Sequence, residues 1–257
     1  MSPQRSDSDC GNHVVNNLSA EKFKTDCNDL FYKMSRKFAA FTLAEVLITL
    51  AIIGVVAALT IPGLITAHKR HRIATQVEKA FSTINQAIRL SETENGEMET
   101  WDKSLSPVEF IDKYFRPYIK IMQICKGEGS CGYKTYPWRY LNGNQGLYDS
   151  PFNVGRVPFI SMDGILYTFA FRNDGLSSSG NDKMIIIDIN GSDMPNRFGH
   201  DVFFFYRIEE ADSIIPYGAD KGTAAINRSC SSGGDGMYCA AIIRENGWKI
   251  PKNYPLK

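Results

Sequence analysis

From Phe41 to Ile65 the chain reads FTLAEVLITLAIIGVVAALTIPGLI, with Glu45 its only charged side chain. As a helix, about 25 residues rising roughly 1.5 Å each span about 37 Å, more than the roughly 30 Å of a bilayer's hydrocarbon layer. Few settings suit such a run. The core helix of a soluble protein seldom stays apolar on every face for so long. A cleaved secretory signal has a shorter apolar region, about 7 to 15 residues, ending at small residues before polar sequence. The run is therefore expected to cross a membrane. An ionised carboxylate within hydrocarbon costs roughly 2.5 to 3.5 kcal/mol, so Glu45 needs a reason. Near the start of the run, a place among the headgroups would lower that cost.

The rest of the chain is organised around this segment. A length of 257 residues suits one globular domain with an appendage, and Lys+Arg 29 against Asp+Glu 28 leaves no basic excess to hold a phosphate backbone. Residues 1–40 are polar and lack a core-forming period; they read as a leader or extension. Within them MSRKFAA, opening at Met34, is a basic n-region, so Met34 is the expected start, or everything before Phe41 is removed. Residues 41–65 form the transmembrane part of a helix, residues 66–94 its amphipathic continuation, and residues 95–257 an extracytoplasmic globular domain. The continuation rests on Ile73, Val77, Ala80, Phe81, Ile84 and Ile88, whose intervals of three and four make one stripe, with Asn95-Gly96 as the stop. Pro62-Gly63 is the weak point, because proline removes a backbone donor.

Ser106-Pro107-Val108-Glu109 predicts a short capped helix, and Lys126 to Phe152 a structured loop. Then the period changes. Val157–Ser161, Ile165–Phe171, Met184–Ile189 and Val202–Ile208 are β-branched or aromatic runs divided by Asp163-Gly164, Asn173-Asp174-Gly175 and Asn190-Gly191. The expected class is α+β: a long N-terminal transmembrane and amphipathic helix packed on a C-terminal antiparallel sheet. Of six cysteines, Cys10 and Cys27 lie in the N-terminal extension. Cys125, Cys131, Cys230 and Cys239 all follow the apolar run, which suits disulfides in an oxidising compartment. Three connectivities are possible; local pairing, Cys125 with Cys131 and Cys230 with Cys239, closes small loops. Free buried thiols and a zinc site are the alternatives.

Ala40-Phe41-Thr42-Leu43-Ala44-Glu45 and the apolar residues after it resemble the prepilin cleavage and methylation motif of type IV pilins and type II secretion pseudopilins. The resemblance implies cleavage by a prepilin peptidase between Ala40 and Phe41 and N-methylation of Phe41. Ala40 departs from the glycine usual there. It also implies that Glu45 pairs with the new amine of a neighbouring subunit, and that Gly54 and Pro62 belong to the assembling helix. The family's orientation puts the leader in the cytoplasm and the C-terminal domain outside a single-pass inner-membrane helix. The expected function is a structural subunit of a pilus or a secretion-type pseudopilus. Its expected partners are other pilin-like subunits, the peptidase and a membrane assembly platform. A different class, a membrane-anchored extracytoplasmic binding protein or enzyme with an uncleaved signal anchor, is separated by the mature N-terminus.

The phrase from Asp188 to Asp201, DINGSDMPNRFGHD, is similar to one that precedes the final strands in pilin-like proteins. Asp188, Asn190, Asp193 and Asp201 offer oxygen ligands of the kind Ca²⁺ takes, though the order is not that of an EF-hand. Asx turns use the same residues to cap backbone. No enzymatic activity is expected. His13, His68, His71 and His200 sit beside no recognisable nucleophile, and no G-x-S-x-G, H-E-x-x-H or P-loop appears. Tyr133, Tyr136, Trp138 and Tyr140 form an aromatic cluster, either a glycan groove or a packed loop.

Overall fold

The computed structural model describes residues 41–102, 104–127, 129–146, 148–152, 156–170, 184–208 and 213–256. The leader with Met34 and Ala40, Cys10 and Cys27, and the Asn173-Asp174-Gly175 turn lie outside the described residues. The chain divides into two compact units, one ending at Leu59 and one covering Thr60–Lys257.

Helix α1, Leu43–Asn95, begins in the first unit. From Phe41 to Leu59 every residue is exposed except Ala57, which is half-buried. This helix is long and apolar enough to cross a membrane. The helix is continuous through Pro62, where Thr66 Oγ1 donates to the Pro62 carbonyl at 2.9 Å.

The second unit is an α+β domain. Its part of α1 buries Ile73, Ala74, Val77, Ala80, Ile84, Ala87, Ile88 and Ser91, the stripe expected from the three-four spacing. Phe81, half-buried, packs at 5.4 Å from Phe205 and 5.0 Å from Trp248. The helix stops at Asn95, with Gly96 in the left-handed region at φ 80°. Helix α2, Pro107–Tyr114, has the expected capping box from Ser106 and Glu109. It carries Phe110, Ile111 and Tyr114 into the core, where Trp101 stacks on Tyr114 at 4.4 Å.

Among the described residues, six strands follow in an antiparallel meander, paired in chain order: β1 Ile121–Ile124, β2 Arg156–Ser161, β3 Leu166–Ala170, β4 Met184–Asp188, β5 Val202–Ile208 and β6 Ser213–Pro216. Strands β2 to β5 fall where the runs predicted them. The other two were not anticipated, and neither were helices α3, Thr223–Ser229, and α4, Cys239–Glu245, in the Gly-rich tail.

The pleat sorts the sheet's side chains into two cores. Phe159, Tyr167, Phe169, Ile185, Ile187, Phe203 and Phe205 pack with α1 and α2. Ile160, Leu166, Met184, Ile186, Val202 and Phe204 pack against Tyr133, Trp138 and Phe198 from the connecting loops. Coverage on both faces explains why β4 is buried at every position and reads MIIID rather than alternating. Helix α4 packs beside β5 and β6. Disulfides join Cys125 to Cys131 and Cys230 to Cys239, the local pairing. Arg207 on β5 is 3% exposed and meets Glu92 at 2.7 Å and Glu99 at 3.0 Å, so its buried charge is paired twice.

Candidate functional site

The start of α1 is built by Thr42 and Glu45. Thr42 donates to Glu45 Oε2 from both its backbone N and its Oγ1, each at 2.8 Å, while Glu45 N donates back to Thr42 Oγ1 at 3.2 Å. This is a reciprocal capping box, which satisfies backbone donors that a helix N-terminus otherwise leaves bare. T-L-A-E carries the S/T-x-x-E signature in the sequence, and the same signature at Ser106 was used to predict α2. At Thr42 the signature stands inside the apolar run, where the Glu45 charge draws attention before its capping geometry does.

Beyond the cap, the run presents its apolar side chains outward: Phe41 is 82% exposed and Leu59 78%. Gly54 has nothing within 4 Å of where a Cβ would stand. Glycine in a helix costs about 1 kcal/mol relative to alanine. Nothing among the described residues requires the small residue there.

In the globular domain, the Asp188–Asp201 phrase forms a buried polar knot between β4 and β5. Asp188 is fully buried, and its Oδ2 accepts from Tyr133 Oη and Trp138 Nε1, each at 2.9 Å. Asp201 accepts from the backbone N of Asn196 at 2.7 Å and of Arg197 at 2.6 Å. Burial and the neighbouring Asp201 charge push Asp188 well above the usual carboxylate range. Burial raises Asp201 to about 6, opposed by the N–H groups of Arg197 and Asn196. Burial and Asp188 together push the Tyr133 hydroxyl up. Gly199 sits in the left-handed region at φ 76°, and a Cβ there would lie 2.6 Å from Cys239 Sγ. Only glycine brings this loop against the disulfide.

The residues expected to hold calcium are thus used differently. Asp188 and Asp201 come together, and their oxygens accept from N–H and O–H donors. Asn190 donates from Nδ2 to the Asp193 carbonyl at 3.1 Å, and Asp193 itself is exposed. Among the described residues, no group of three or more His, Cys, Asp or Glu side chains is arranged to hold a metal ion. Of the aromatic cluster, Tyr133 and Trp138 are buried, Tyr140 is half-buried and Tyr136 is exposed, with Trp138 edge-on to Phe198 at 6.4 Å.

An outward-facing apolar helix capped by an acid leads into an α+β domain, the layout expected from the resemblance. Residues 35–61 match the prokaryotic N-terminal methylation motif, the prepilin-type signature. Residues 63–257, most of the chain, match a family of unknown function (DUF6613), and the chain belongs to that family. No curated protein and no solved structure matches it.

Proposed function

We propose that the chain is a structural subunit of a type IV pilus or a type II secretion-type pseudopilus. In this reading the precursor is held in the inner membrane by residues 41–65, with residues 95–257 on the extracytoplasmic side. A prepilin peptidase cuts between Ala40 and Phe41, the Phe41 amine is methylated, and a membrane assembly platform polymerises the product with other pilin-like subunits. The observation that carries it is the methylation motif at residues 35–61 joined to a helix whose apolar side chains are outward-facing. Lipid solvates those side chains in the membrane, and neighbouring copies replace lipid in the filament. The Glu45 carboxylate then meets the amine of a neighbour, a charge pair that selects register more than it adds stability. The protein is assigned no catalysis.

The test is the mature N-terminus. Mass spectrometry of the protein from cells with an intact prepilin peptidase is expected to find methylated Phe41, and from peptidase-null cells the full leader. A leader left uncut in both would overturn the reading in favour of a retained signal anchor.

A further inference from the structure

Where α1 leaves the apolar run it forms one wall of a cleft of about 360 Å³, whose other wall is the loop from Ile189 to Asp201. Its lining is apolar at Ile65, Ile73, Ile189 and Pro195, and cationic at Lys69 and Arg72, with His68 beside them. We propose that this cleft seats the headgroup of an anionic phospholipid, its phosphate against Lys69 and Arg72. The inference rests on the reading that the apolar run lies in a membrane.

Depth is the first argument. Ile65 ends the apolar run and lines the cleft, and four to seven further residues along a helix rise about 6 to 10 Å. That interval carries Lys69 and Arg72 from the hydrocarbon edge into the headgroup layer, where basic side chains attract anionic lipid.

Charge is the second. Asp201 is the one carboxylate among the described residues lining the cleft, and its two oxygens accept from the Asn196 and Arg197 amides. Arg70, between the two cations in sequence, turns elsewhere and donates from Nη1 to the Pro251 carbonyl at 2.7 Å.

The cleft thus fits a lipid phosphate against its cations, with acyl chains continuing along the apolar side.

The test uses the full chain, first reconstituted into phosphatidylcholine nanodiscs and then purified in neutral detergent. Failure to enter nanodiscs would overturn the membrane reading and this inference with it. In detergent, native mass spectrometry with short-chain phosphatidylglycerol, phosphatidic acid, phosphatidylcholine or inorganic phosphate reads the cleft. Phosphatidylglycerol is expected to be retained in preference to phosphatidylcholine, with inorganic phosphate not retained. Joint substitution Lys69→Ala and Arg72→Ala is expected to cut that retention by at least about tenfold with Tm in lipid-free detergent unchanged. Phosphatidic acid is expected to be retained like phosphatidylglycerol, because the phosphate carries the contact. Equal retention of phosphatidylglycerol and phosphatidylcholine, undiminished retention in the double variant, or retention of inorganic phosphate alone would overturn the proposal. So would a dimer mass that displaces phosphatidylglycerol, which would give the cleft to a second copy of the chain.

Discussion

Glu45 caps α1, and one substitution can separate that cap from the assembly role proposed for its charge. Glutamine at the third helical position still completes a capping box but carries no charge. Glu45→Gln is therefore expected to keep the helicity of the membrane-inserted monomer, read by circular dichroism, while filament yield falls as far as in Glu45→Leu. Normal assembly of Glu45→Gln would reduce the residue to a cap. Asp188 offers a second separation. Asp188→Ala leaves Tyr133 Oη and Trp138 Nε1 without their acceptor, and an orphaned buried donor costs about 1 to 3 kcal/mol, so Tm is expected to drop. Asp188→Asn keeps an acceptor oxygen and removes the repulsion from Asp201, so its Tm at pH 7 is expected to match or exceed that of the natural chain. The same pair governs pH dependence. Asp201 has a folded pKa raised from 3.8 to about 6, and burial and the Asp201 charge hold Asp188 well above the usual carboxylate range, so between the unfolded and folded values the folded state binds more protons than the unfolded one. Stability from this pair is present below about pH 4 and lost as pH rises through about 6. Asp163 and Asp220, held below 3.8, act oppositely but only at lower pH. Thermal melts are expected to give a higher Tm at pH 5 than at pH 7, with the difference shrinking in Asp188→Asn.

The elements differ in how plainly residues announce them. Helix α1 was legible because a membrane-length run and a three-four stripe are both long signals. Strands β2 to β5 were legible because β-branched and aromatic residues cluster in runs divided by turn dipeptides. Strand β1 reads IMQI and β6 reads SIIP, four residues each, too short to show a period. Helices α3 and α4 start at Gly222 and Tyr238 with no side-chain cap, so the usual start signal is missing. The candidate site divides in the same way. Glu45 and its cap lie within four residues and could be read locally. The bond from Tyr133 to Asp188 joins positions 55 apart and exists only once the loop folds onto the sheet. Gly54 carries the element-level prediction. With open space around its Cβ, Gly54→Leu is expected to leave monomer stability unchanged or slightly raised, while filament yield drops because neighbouring helices can no longer approach. Equal filament yield would mean that Gly54 is tolerated rather than used.

At the scale of the molecule, the globular domain is held by two short covalent loops and a core on each side of one sheet. The Cys230–Cys239 bond closes a loop of sequence separation 9, and a loop of that size stabilises by about 2 to 3 kcal/mol through the unfolded chain. Replacing both cysteines by serine is expected to lower Tm by several degrees, and reductant to lower the Tm of the natural chain but not that of the double variant. A larger loss is expected here than at Cys125–Cys131, because Gly199 is fitted against Cys239 and the buried Asp201 lies two residues on. The double coverage of the sheet has a further consequence. A β-layer sandwiched between helices and loops has no bare plane to show a stranger, so whatever meets this domain from outside meets its rims and connecting segments. Those parts can change their chemistry from one protein to the next while the scaffold beneath keeps its shape, which lets one architecture wear many surfaces.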